Sequence, residues 1–332
     1  DAGVFSFTEF YKRRIKRIFP AMLVVLVLTT LISQFIMRPE NAELTAESAL
    51  WSLFSMANIY FWLYQPTDYF AQASTEVPLL HLWSLGVEEQ FYLIWPLICF
   101  FAYKKNIRLI FILGITLLCI MSFFSAEYLF SKLPSFTYYM LPTRAGELFI
   151  GAIAAYIGYH HKKQPRWRYV NNLLSIVGIA LIFFSLAYLD ESMVFPGLLA
   201  IPPTLGAVLL IYSGQFGINY TNKWLTHKLM VNIGLISYSL SVWHWSLLAF
   251  VRYAQIEINL LTGSIAFIVM VILAMLTYQF VEKPTRKMSF TTAQIYKYFL
   301  VTGVWGTLGG QKMTIQLPDW DRDKGPGPES RR

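Results

Sequence analysis

Three groups of residues in this chain have the types and spacing to do chemistry. In Pro78-Leu-Leu-His81-Leu-Trp-Ser84-Leu-Gly-Val-Glu88-Glu89-Gln90, an imidazole, a hydroxyl and a carboxylate recur at i, i+3 and i+7. On a helix opened by Pro78 they share one face, where base, hydroxyl and acid converge. A carboxylate at a membrane boundary is costly and is retained where it functions; here two occur in succession. The competing reading is structural: Ser84 bonds back to its own helix, His81 sits at an interface, and the glutamates cap a helix or pair with Arg144. A second group, Pro142-Thr-Arg144-Ala-Gly-Glu147, places a guanidinium and a carboxylate at i, i+3, with Gly146 permitting close helix approach. It is either a local ion pair or part of a site. The third, Phe10-Tyr-Lys12-Arg13-Arg14-Ile-Lys16-Arg17-Ile-Phe-Pro20, has arginines spaced for bidentate phosphate recognition. Its alternative is topogenic charge that binds lipid headgroups.

Other polar residues carry weaker signals. His244, within Trp243-His244-Trp245, sits mid-span and reads as an interhelical hydrogen-bonding residue. His160, His161 and His227 fall in basic loops, and Glu282-Lys-Pro-Thr-Arg286 reads as the stop of the last span. Neither a Gly-rich phosphate loop nor a nucleophile elbow is present, and Cys99 and Cys119 lie in apolar runs, so no metal cofactor is expected.

The elements that must position these groups follow from composition. The 332 residues are 56% hydrophobic, 17% aromatic and only 14% charged. A soluble domain carries about 25% charged residues, so this chain lacks the ionic groups to wet its surface. Apolar runs fall near 18–37, 48–64, 85–103, 107–125, 145–159, 173–189, 195–213, 232–250 and 261–281. Eighteen cations cluster at 12–17, 104–108, 162–168, 223–228 and 283–297, and only Arg38, Lys132, Arg144 and Arg252 fall in the intervening loops. The positive-inside rule puts the clusters on the cytoplasmic side and accounts for the net charge of +8 without nucleic acid. An even number of crossings must then separate residues 17 and 104. The weakest run, 48–64, holds Ser52, Ser55, Asn58 and several aromatics, so 38–84 is expected to be one outer segment that lies on the membrane or dips in and returns. The predicted fold is all-α, polytopic, with about eight transmembrane helices plus that non-crossing segment. By the same parity His81, Ser84, Glu88, Arg144 and Glu147 share the outer face and one polar pocket, with the Arg13, Arg14 and Arg17 cluster at the cytoplasmic mouth.

Six motifs in order, FYKRRIKRIFP, NIYFW, PLLHLWSLGVEEQFYLIWP, RAGELFIGA, ISYSLSVWHW and FVEKPTRK, resemble acyltransferase family 3, most closely bacterial enzymes that acylate lipopolysaccharide O-antigen or other surface sugars. The likeness runs from about Phe5 to Lys287. It implies a membrane O-acyltransferase that takes an acyl group, acetyl first among candidates, from cytoplasmic acyl-CoA. The group is delivered to a hydroxyl of a surface polysaccharide or lipid-linked sugar, across the bacterial inner membrane. Carried over by position, Arg13, Arg14 and Arg17 serve the donor's phosphates, while Ser84, Glu88, Arg144 and Glu147, with His81, form the catalytic group. The family pattern begins with two further helices, the first bearing an Arg and a His ten residues apart, the His as candidate base. Residues 1–288 are therefore expected to be an acyltransferase domain lacking those helices, and 289–332 a short apolar run with a disordered polar tail. A transporter or flippase for a small solute or lipid-linked sugar is the rival expectation; it calls for broken helices in two related halves, and only 48–84 is broken.

Overall fold

A computed structural model describes residues 6–64, 74–104, 107–160, 168–190, 193–215 and 219–288. Among them every regular element is helical: α1 (Phe7–Ile36), α2 (Pro39–Leu53), α3 (Ala57–Tyr64), α4 (Leu82–Lys104), α5 (Arg108–Phe130), α6 (Pro134–Tyr139), α7 (Leu141–His160), α8 (Arg168–Tyr188), α9 (Ile201–Gly214), α10 (Tyr220–Leu225), α11 (Lys228–Tyr253), α12 (Leu260–Thr277) and α13 (Lys283–Lys287). Six described helices are long and apolar enough to cross a membrane: α1, α4, α5, α8, α11 and the continuous helix Leu260–Lys287. That is six against the eight expected from the sequence; α7 and α9 pack with them without meeting that standard. Arg144 and Glu147 interrupt the apolar face of α7, and the apolar run of α9 begins at the turn Leu198–Ala200 and covers only Leu198–Gly214. The chain is an all-α polytopic membrane protein.

Two helix pairs at the site are antiparallel. Phe7 packs on Phe100 and the Tyr11 hydroxyl donates to the Leu93 carbonyl, so α1 and α4 are antiparallel. Ser239 meets Glu282 and Trp243 meets Thr277, giving the same relation between α11 and the last helix. Between α8 and α9 a Cβ on Gly178 would fall 2.9 Å from the Gly206 carbonyl oxygen, and one on Gly206 2.8 Å from that of Gly178. Only paired glycines allow that backbone approach, the small-residue packing that replaces hydrophobic association in lipid.

The segment 48–64 divides into two helices. The chain reverses at Ser55, whose φ of 59° is left-handed, and α3 returns along α2 with the Tyr60 hydroxyl donating to the Leu44 carbonyl. The tip of this hairpin rests on α4 at Gly86, where an added Cβ would meet Asn58 Oδ1 at 2.8 Å and the Ser55 carbonyl at 3.2 Å. Met22, Leu26, Phe61, Leu79, Tyr139 and Trp243 form the main apolar core, which binds α1, the hairpin, α4 and α11 into one unit. A smaller core of Cys119, Phe123 and Ala200 joins α5 to α7 and α9. Residues 289–332 lie outside the described residues, as do the basic positions Lys162, Lys163 and Arg166.

Candidate functional site

The polar groups gather around α4. Its leading loop is pinned by α11: Trp245 Nε1 donates to the Val77 carbonyl (2.8 Å), and the Ser246 hydroxyl donates to that of Pro78 (2.9 Å). His81 Nε2 makes a third such bond, to the Val242 carbonyl at 3.1 Å. A carbonyl only accepts, so the proton of this imidazole is on Nε2 and Nδ1 is a bare lone pair, buried without a partner. Burial, helped by the His244 ring 5.7 Å away, pushes the imidazole down to about 3, and it is neutral across the physiological range. The Ser84 hydroxyl donates back to the His81 carbonyl (3.1 Å), which is the local bond its spacing allowed. Glu88, one turn further on the same face, is exposed at the helix surface.

Facing it are the arginines of α1. Arg14 stacks over the Tyr92 ring at 4.0 Å, and both Arg14 and Arg17 act electrostatically on Glu88. Arg14 also acts on Glu89, one of whose carboxylate oxygens is buried without a hydrogen bond. Arg13 turns away: its side chain is exposed and lies along Glu9 at 4.0 Å. The sequence places the arginines and Glu88 at opposite ends of the bundle; the structure corrects this by setting Arg14 over Tyr92, one turn from Glu88, though among the described residues no ion pair joins the arginines to the carboxylates. The cause is register. With Phe7 beside Phe100 and Tyr11 beside Leu93, the first three turns of α1 run alongside the second half of α4 instead of projecting past its end.

Arg144 and Glu147 form a separate cluster. The guanidinium is 6% exposed and donates through Nη1 to Glu147 Oε1 (3.0 Å) and through Nε to the Tyr138 carbonyl (3.1 Å). Three rings surround it, Trp83 at 5.0 Å, Tyr138 at 4.7 Å and Phe195 at 5.1 Å. Cation–π attraction is strong when the cation is desolvated, so this cage holds a charge the membrane would otherwise expel. Gly146 lets α7 approach α5, its N–H donating to the Ser122 hydroxyl at 2.9 Å. The five residues expected in one pocket therefore divide. Trp83 carries the cage on one side of α4, and His81, Ser84 and Glu88 occupy another; among the described residues no hydrogen bond or ion pair links the two groups. Arg144 pairs with Glu147, not with Glu88 or Glu89.

Two features escape a reading of the sequence. Glu282 does more than end a span: it is fully buried, accepts from the Ser239 hydroxyl (2.9 Å) and pairs with Arg286. The helix widens to a π turn over Tyr278–Glu282, ahead of Pro284, which has no N–H to donate. Next to Ser239, the Tyr238 hydroxyl donates to the Ile18 carbonyl (2.7 Å) and feels the charges of Glu88, Glu89 and Glu282. Lys16 meanwhile bonds the Met288 carbonyl, tying α1 to the end of the last helix. An acid just before Lys-Pro at the end of an apolar run was the available signal. Asn58 is the other: completely buried, it exchanges amide hydrogen bonds with Gln90 (2.9 and 3.3 Å) and fixes the hairpin against α4. Among the described residues no cluster of His, Cys, Asp and Glu is placed to hold a metal ion.

Comparison with known proteins gives this geometry a context. A family described as an acyltransferase domain matches residues 3–279. O-acetyltransferase OatA of Staphylococcus aureus (strain NCTC 8325 / PS 47) is 30% identical over 299 residues, 85% of this chain and 48% of that protein. Peptidoglycan O-acetyltransferase OatA of Listeria monocytogenes is 29% identical over 295 residues, 85% of this chain and 47% of that protein. An uncharacterized protein of Haemophilus influenzae is 35% identical over 217 residues, covering 63% of this chain and 87% of its own length. The chain thus spans about half the length of the OatA relatives it matches. No solved structure matches it. Both the domain match and the six ordered motifs cover nearly all the membrane helices, and the chain belongs to acyltransferase family 3, a family of membrane acyltransferases.

Proposed function

We propose that the chain transfers an acyl group, acetyl in the simplest case, from acyl-CoA to a hydroxyl of a cell-surface glycan. The observation that supports this reading is Arg14 stacked over Tyr92, one helical turn from Glu88, with the Arg14 and Arg17 charges acting on that carboxylate across the gap between α1 and α4. Phosphate-binding cations and an acceptor-side carboxylate then flank a single reaction space. Arg14, held over Tyr92, and Arg17 bind the donor's phosphates. Glu88 takes the proton of the incoming hydroxyl as its oxygen attacks the thioester carbonyl. The C–S bond breaks, the new C–O ester forms, and the proton passes to the leaving thiolate. His81, held by the Val242 carbonyl, positions the start of α4, Ser84 lies on the same face as Glu88, and the caged Arg144 with Glu147 fixes the far side of α4. With the basic ends of α1 and of the last helix on the cytoplasmic face of a bacterial inner membrane, the donor enters there and the glycan from the other side. A peptidoglycan or lipopolysaccharide sugar is the acceptor class, the first from the OatA relatives' names and the second from the motifs.

The test is transfer of labelled acetyl from acetyl-CoA to surface glycan by the full chain in membrane vesicles. Glu88→Gln should reduce kcat by at least about 100-fold, the usual scale of general-base loss. Arg14→Ala should raise KM for acetyl-CoA with the fold intact. Wild-type activity in Glu88→Gln would remove the carboxylate from the reaction.

A further inference from the structure

At the end of the bundle opposite the α1 N-terminus, a cavity of about 180 Å³ opens between the C-terminal end of α1, the α2–α3 hairpin, Glu76 to Pro78 and the end of α11. It is large enough to hold several waters or one small polar ligand. One wall is aromatic, made by Tyr60, Phe61 and Tyr64 of α3. The lining also includes Asn41, Glu76 and Tyr253, from three different parts of the chain. Their hydrogen-bond capacity is only partly used. The Tyr253 hydroxyl oxygen accepts from the Arg38 N–H (2.9 Å) and from Asn41 Nδ2 (3.2 Å), so both its lone pairs are occupied and its own O–H is left to donate. Asn41 spends only its Nδ2 in that contact, leaving its amide oxygen as an acceptor. Glu76 uses one carboxylate oxygen, in a long 3.4 Å contact with Gln255, and its second oxygen is unengaged.

A lining that combines inclined aromatic rings with a donor, an amide and a carboxylate suits a ligand with apolar C–H surface and a rim of hydroxyls. The same groups argue against other occupants. Glu76 in the wall and Glu47 behind Tyr60 repel phosphate, and Arg252 is turned to the Trp245 ring and the Thr75 carbonyl. A lipid tail gains nothing from Asn41, Glu76 or Tyr253. We infer that this cavity is a saccharide subsite for one pyranose of the acceptor glycan, distinct from the reaction space at Glu88; it rests on the acyltransferase reading above for its place in the reaction. The linker from Val77 and Pro78 to His81, held to α11 by Trp245 and Ser246, fixes the subsite relative to the acceptor hydroxyl.

The experiment uses the full chain in nanodiscs and oligosaccharides of one to six sugars cut from the surface glycan of the source cells. Binding is measured by calorimetry and acetyl transfer separately. Wild type should bind the longer oligosaccharides more tightly than the single sugar. Glu76→Gln and Asn41→Ala should each weaken that binding by about tenfold, the effect of one lost hydrogen bond to a charged or amide group. They should raise the glycan KM in proportion, and leave kcat and acetyl-CoA binding within twofold. Unchanged oligosaccharide affinity in both variants, or no oligosaccharide binding by wild type, would overturn the subsite. Oligosaccharide binding without any acetyl transfer by wild type would instead sink the acyltransferase reading and keep the subsite.

Discussion

At the scale of single residues, His81 is a base that cannot act by becoming charged in the folded protein near neutrality. Its folded value of about 3 lies below the ordinary 6.5. Above pH 6.5 neither folded nor unfolded chain protonates it, and stability is unaffected. As pH falls from 6.5 towards 3, the unfolded chain takes up a proton that the folded chain refuses, so stability is lost on acidification. The melting midpoint of the detergent-solubilised protein should therefore fall between pH 7 and pH 5, and His81→Gln, which keeps a donor for the Val242 carbonyl, should flatten that slope. A slope identical in the variant would show that His81 is not buried in this way. Arg144 gives a second prediction. Lysine cannot bond both the Tyr138 carbonyl and Glu147 while lying flat among three rings, so Arg144→Lys should lower stability by about 1–2 kcal/mol. A melting midpoint equal to wild type would mean that the cage contributes only a charge.

At the scale of elements, helix contacts in this protein are set by small residues and buried amides more than by apolar bulk. Gly206→Leu would drive a side chain into the Gly178 carbonyl and separate α8 from α9, lowering the melting temperature by several degrees, whereas Gly234→Ala, with nothing within 4 Å, should be tolerated. Thermal melts of the two variants in one detergent check the contrast. Much of this level was legible in the sequence. Apolar runs pointed to eight crossing helices, of which six described ones are long and apolar enough, and the parity of the basic clusters pointed to the folded-back segment, because hydropathy reports which residues the lipid accepts. The break at Ser55 was not legible: Phe-Ser-Met-Ala contains neither Gly nor Pro, and the left-handed turn there comes from the packing of the tip on Gly86. Nor was the pairing of Glu282 with Ser239, a partner 43 residues away on α11.

At the scale of the whole molecule, the decisive property is how far one helix slides along another. Hydropathy gives the length of α1 but not its offset from α4, since tilt and register come from packing. Hence the residue types of the site were readable while its assembly was not: Ser84, Glu88, Arg14 and Arg17 could each be picked out, but the sequence placed them at opposite ends. Arg144 and Glu147 went the other way, expected in the same pocket as Glu88 and found in a cage of their own. The central claim is thus that Arg14 and Glu88 belong to one reaction space. It is tested most directly by a double-mutant cycle on kcat/KM for acetyl transfer, using Arg14→Ala, Glu88→Gln and the pair in the full chain. Because the Arg14 charge acts on Glu88 as well as on the donor, the two losses should couple, and the loss in the double variant should fall short of their product. Losses that multiply across the two substitutions would place the arginine and the carboxylate in independent sites and contradict the account.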